Sequence, residues 1–157
     1  MRATHEAGHA VAALALGVGV KLATILTDDG IGGHVDLIDS EDARLAERAM
    51  VYLAGREAVS LAGLLDDDAQ RGCRGDLERV RALVLPLADG DATAAERLTV
   101  ELSVRVRDLL SEWEHASAVG RVSIELLQRW TLTGAEVSEI VTAEAERVAA
   151  KRTERIQ

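Results

Sequence analysis

His5-Glu6-Ala7-Gly8-His9 is the stretch on which the reading of this chain turns. It has the form H-E-x-x-H and opens an alanine- and valine-rich run, Ala7 to Leu16, that stops at Gly17. On a helix, residues four apart are separated by roughly 40° of arc and about 6 Å of rise. Both imidazoles then stand on one face, one turn apart, and can share a metal. Zinc takes about four ligands, and a catalytic zinc takes three from the protein and leaves one position for water. Glu6 lies beside the first histidine, where a carboxylate can accept a proton from that water. This is the machinery of peptide hydrolysis. The same five-residue pattern also arises by chance, so the rest of the chain must supply a third ligand and a scaffold.

Working outward, the first helix is expected from about Ala3 to Leu16, with Gly17 and Gly19 as its stop. Val20 to Thr27 is rich in β-branched residues and reads as a strand. Asp28-Asp29-Gly30 is a turn signal, and Ile31 to Ile38 reads as a return strand loosened at Gly32-Gly33. A strand edge beside a metal helix can hold an extended peptide by strand addition, although a purely structural hairpin is the simpler reading. Ser40, followed by Glu41 and Asp42, suits the start of a long apolar-periodic helix over about Glu41 to Leu64. Gly55 inside it lowers helix propensity and suggests close packing on another helix.

Asp66-Asp67-Asp68 and Gln70 to Gly75 read as loops, and Asp76 opens a further helix that Pro86 kinks or ends. After Asp89-Gly90-Asp91, helical spacing resumes near Ala92 and runs to about Trp130. That is long for one helix, and a break is expected near Glu112 to Ala116. Thr133-Gly134-Ala135-Glu136 is a capping box, opening a last helix from about Ala135 towards Arg152. The fold class is therefore mainly α: a compact helical domain with a small β-hairpin or ribbon after the first helix. At 157 residues the chain reads as one domain. Residues 1–90 form a metal-site subregion with the ribbon, and 91–157 a C-terminal helical subregion.

Composition narrows the function classes. Hydrophobic residues make up 48% of the chain, with no Phe, one Tyr and two Trp, so the core must be aliphatic. A net charge of −9 speaks against nonspecific binding to nucleic acid and against docking on an anionic membrane. No run is apolar and long enough to cross a bilayer. The single cysteine, Cys73, excludes an internal disulfide framework and suits a reducing, cytoplasmic compartment. The start of the chain does not read as a signal peptide. For the third metal ligand, zinc accepts His, Cys, Asp or Glu, which leaves His34, Cys73, Asp76 and His115. Spacing alone does not choose among them.

Taken in order, the pieces resemble the peptidase domain of FtsH-type zinc proteases. His5-Glu6-Ala7-Gly8-His9-Ala10 is similar to that family's active-site motif. Val20 to Leu37 resembles the ribbon after it, and Ser40-Glu41-Asp42-Ala43-Arg44 the acidic start of the next helix. Leu53-Ala54-Gly55-Arg56-Glu57-Ala58 resembles a glycine-arginine signature, and Gly72-Cys73-Arg74-Gly75-Asp76-Leu77 falls where the family has Gly-Ala-x-Asn-Asp-Leu/Ile. Leu126 to Glu136 resembles its C-terminal helical segment.

The resemblance implies a zinc-dependent endopeptidase in which His5, His9 and Asp76 hold Zn²⁺ and Glu6 is the general base. It implies peptides or unfolded protein segments as substrates. As partners it implies further copies of the chain, or an ATPase module on a separate or removed segment. The chain departs from the family in three ways. Gly75 stands where the family has Asn, the segment after Asp76 is short, and no G-x-x-x-x-G-K-S/T phosphate loop is present. A non-catalytic binding or assembly domain with a vestigial or structural metal is the alternative expectation.

Overall fold

The computed structural model describes residues 1–26, 32–38, 44–65 and 73–154. The expected turn at Asp28-Asp29-Gly30, the expected cap at Ser40 to Asp42, the aspartate run at 66–68 and the loop residues 70–72 lie outside them. Among the described residues there are six helices and three strands. In chain order these are α1 (Arg2–Ala15), β1 (Val20–Thr24), β2 (His34–Leu37), α2 (Leu45–Leu61), α3 (Arg74–Leu87), α4 (Ala92–Ser111), α5 (Trp113–Arg129), β3 (Thr131–Thr133) and α6 (Gly134–Glu154). The protein is mainly helical, with a small antiparallel sheet following the first helix. None of these helices is long and apolar enough to cross a membrane.

Helix α1 is the axis of the fold. It is buried almost all round, from Ala3 through Ala13, because most of its residues are small, Ala above all. It packs mainly on α2 and α5. The α1–α2 contact is close: a Cβ on Gly8 would lie 2.5 Å from Ala58 Cβ and 2.7 Å from the Ala54 carbonyl oxygen. Gly17 ends α1 with φ +74, and the Val18 and Gly17 amides donate back to Ala13 and Leu14. This paired C-terminal motif is what a glycine after the last helical turn allows.

Helix α2 differs at both ends from the expected Glu41 to Leu64. Arg44 is extended, with ψ 141, so the helix begins at Leu45. At the other end Gly63 adopts φ +69, and the amides of Leu64 and Gly63 donate to Val59 and Ser60. Helix α3 opens at Arg74, two residues before the expected start, so Asp76 sits in its first turn. The expected break falls at Glu112, whose ψ of 135 separates α4 from α5. The capping box forms as read: the Glu136 amide donates to Thr133 Oγ1 at 3.3 Å, and Glu136 Oε2 accepts from the Thr133 amide at 2.8 Å.

The sheet has one strand more than the hairpin expected from sequence. Its order is β2-β1-β3, all antiparallel. Thr24 pairs with His34 on one side and Thr131 on the other. The third strand is three residues long and wedged between two helices, too short to show an alternating pattern. Trp130, with φ +67, turns the chain from α5 into β3. Its carbonyl then accepts from the Ile25 amide. Gly134 is buried, and a Cβ there would overlap the Val20 carbonyl, so α6 starts directly against β1. The core is aliphatic throughout, built on Leu53, Val80, Val84, Leu102, Val106, Leu110, Val122, Leu126 and Leu132.

Candidate metal centre

Three ligand atoms converge where α1, α2 and α3 meet. His5 Nε2 lies 2.9 Å from His9 Nε2, an approach that the one-turn spacing of the pair allows. Asp76 Oδ2, from the first turn of α3, lies 3.0 Å from His5 Nε2 and 3.3 Å from His9 Nε2. The two rings stand edge to face, with centroids 4.5 Å apart and planes at 88°. Zinc bonded at about 2.0–2.1 Å in a tetrahedron has ligand atoms about 3.3–3.4 Å apart. The observed separations come within about 0.4 Å of that. Two imidazole nitrogens and one carboxylate oxygen are also a donor set zinc accepts. The residues present therefore fit the ion.

The shell behind them favours the same state. His9 Nδ1 donates to the Val51 carbonyl on α2 at 2.6 Å. A carbonyl only accepts, so Nδ1 carries a proton, and in the neutral ring it is Nε2 that has a lone pair to offer the cluster. Gly55, one turn further along α2, makes room for the rings: a Cβ there would lie 2.5 Å from His9 Nε2 and 2.7 Å from His5 Cε1. The sequence indicated close packing at Gly55 but not that imidazoles fill the space.

Burial and charge act against each other here. Burial pulls both histidines down, but hydrogen bonds to Asp76 outweigh it and hold both above the usual imidazole range. Burial pushes Asp76 up, yet the two histidines hold it well below the usual carboxylate range. Arg79 Nη1, 3.6 Å from Oδ1, approaches the other carboxylate oxygen. Asp76 is therefore ionised and aimed. Glu6 is 4% exposed, and burial raises its carboxyl above the ordinary value against the opposing pull of His9 and His5. Its near neighbour is Gly33, where a Cβ would lie 2.7 Å from Glu6 Oε1 and 2.5 Å from the Thr24 carbonyl. A side chain at 33 would push the start of β2 off the Glu6 carboxylate. The sequence shows Gly33 only as a weak point in a strand.

The other sequence candidates are not members of the triad. His34 opens β2, is about half exposed, and has Nε2 3.7 Å from Asp36 Oδ1. His115 lies on α5, and its Nδ1 donates to the Leu109 carbonyl at the end of α4. Glu112 and Glu114 bring carboxylates near it, but Glu114 also pairs with Arg152. Cys73 is buried at the N-cap of α3, with Sγ 3.8 Å from His5 Nδ1, the ring nitrogen facing away from His9 and Asp76. No protein-family model matches the chain, and no curated protein matches it.

Proposed function

We propose that this chain is a zinc-dependent metalloendopeptidase of the FtsH type, acting on peptides or unfolded protein segments. The observation that carries the proposal is the convergence of His5 Nε2, His9 Nε2 and Asp76 Oδ2 within 2.9–3.3 Å, with Glu6 on the same helix turn as His5. His5, His9 and Asp76 would hold the ion. When bound, zinc supplies Lewis acidity that polarises a peptide carbonyl and makes a water easier to deprotonate.

The chain's own residues do the rest. Asp76 contributes a negative charge that offsets the cation, and the carbonyl of Val51 keeps His9 in the tautomer that offers Nε2. Glu6 takes a proton from the attacking water as its oxygen adds to the peptide carbonyl. Glu6 then gives that proton to the leaving amine as the C–N bond breaks. A carboxyl raised by burial suits this exchange, because a base works best when its pKa approaches the working pH. The order of the sequence blocks supports the FtsH-type assignment. The single cysteine supports a reducing compartment, and the proposal includes the cytoplasm as the place of action. Association with further copies or with a separate ATPase module belongs to the same proposal.

The test is hydrolysis of an unfolded protein such as casein by the zinc-reconstituted chain. Turnover that a chelator abolishes and zinc restores supports the reading. A protein that holds about one zinc and cleaves nothing would favour the alternative of a non-catalytic binding domain.

A further inference from the structure

The two histidines are held from behind by unlike partners. His9 Nδ1 donates to a backbone carbonyl at 2.6 Å. His5 Nδ1 faces a side-chain sulfur, Cys73 Sγ, at 3.8 Å. Cys73 is only 2% exposed and occupies the N-cap of α3, three residues before Asp76. One turn of backbone thus carries both the carboxylate that meets His5 at Nε2 and the sulfur that meets it at Nδ1. The ring is gripped on opposite nitrogens by residues of the same segment.

A thiol sulfur is a weak acceptor, but an imidazole N–H buried beside it has a partner that fixes the ring's tautomer. Partners of this kind orient metal-binding histidines, and their loss typically costs 10–100-fold in metal affinity. We propose that Cys73 is a positioning residue for the metal: its sulfur accepts from His5 Nδ1–H and aims Nε2 at the cluster shared with His9 and Asp76. The inference rests on reading that cluster as a metal site. It assigns Cys73 a place outside the ligand set, behind His5. It also makes His5 the more loosely held of the two histidines, because N–H···S is longer and weaker than the N–H···O bond of His9.

The test uses the full chain, its Cys73→Ala and Cys73→Ser variants, and zinc affinity measured by competition with a chromophoric chelator. Cys73→Ala is expected to lose affinity by about 10–100-fold. Cys73→Ser, which keeps an acceptor of shorter reach, should recover part of it. Melting of the metal-free variants is followed in parallel, because a sulfur that only fills the core would lower melting and leave zinc affinity of the folded protein unmoved. That result overturns the proposal. The Co²⁺-substituted wild type is expected to show no thiolate-to-metal charge-transfer band. A band that disappears in Cys73→Ser would make Cys73 a direct ligand and also overturn it. A wild type that binds neither ion overturns the metal-site reading itself, whereas a wild type and a Cys73→Ala variant that bind zinc equally overturn only the role of Cys73.

Discussion

The seam between α1 and α2 and the layer around α4, α5 and α6 are both buried, but different residues build them. The seam is lined by Ala7, Gly8, Ala54, Gly55 and Ala58. The layer is lined by Leu102, Val106, Leu110, Val122, Leu126 and Val137. Small residues let two backbones approach until a main-chain carbonyl reaches an imidazole and two rings fit over a glycine. The seam accordingly holds buried His9, and Glu6 lies buried on the same helix α1 against Gly33. Branched aliphatics keep helices further apart and offer nothing to a polar group. In the outer layer pairs such as Arg147–Glu144 and Arg121–Glu125 lie towards the surface, while Ser103 and Arg107 of α4 reach the buried Glu57 of α2. The seam admits polar side chains between close backbones, and the layer packs aliphatic ones.

The largest effect that tests this contrast is on turnover. Glu6→Gln keeps the shape and removes the proposed base, so proteolysis should fall by about 10²–10⁴-fold, with the zinc content of the purified protein unchanged. Casein cleavage at the wild-type rate would remove Glu6 from the mechanism. In the outer layer, Leu126→Ala deletes a fully buried side chain and should cost about 2–5 kcal/mol in denaturant unfolding. Zinc affinity of the folded protein should stay put.

Gly55→Ala reverses that pattern. Its added methyl meets both imidazoles, so stability should fall by about 1–3 kcal/mol, while zinc affinity falls far more than in Leu126→Ala. If calorimetry finds wild-type zinc binding in Gly55→Ala, the seam is ordinary packing.

A pH series on metal-free protein sharpens the contrast further. The folded-state values of His5 and His9 are raised, so their contribution is fully present below about pH 6.5 and is lost as pH rises through those values. Raised Glu6 acts in the same direction. Lowered Asp76 stabilises above about pH 4, and that contribution is lost as pH falls through its folded-state value. Metal-free melting temperature should therefore drop from pH 6 to pH 8. Zinc affinity should rise over the same interval, because the metal needs unprotonated imidazoles. A flat metal-free profile would remove the electrostatic account. The smallest effect belongs to the surface: Thr133→Ala breaks the capping box of α6 and should cost about 1 kcal/mol, with no change in zinc affinity.

Much of the helical frame was legible in the residues. Gly17, the break at Glu112 and the Thr133–Glu136 cap are local devices, and local chemistry writes them into the chain. The strand at Thr131–Thr133 was not legible, because it exists only through pairing with β1, more than a hundred positions earlier. The start of α2 shifted to Leu45 because Arg44 adopts an extended backbone that apolar spacing does not reveal.

By itself the sequence determined that His5 and His9 share a helix face, with Glu6 next to His5 in the chain, since residues four apart on a 3.6-residue period lie about 40° apart. It also determined an aliphatic, mainly helical core. Only the tertiary structure decided that Asp76 rather than His34, Cys73 or His115 meets both histidines, because the meeting depends on how α3 packs on α2 beside α1. It alone brought the Val51 carbonyl to His9, the Cys73 sulfur to His5 and the Gly33 backbone to Glu6. Contacts between segments tens of residues apart are fixed by packing the whole core, and no local pattern carries them.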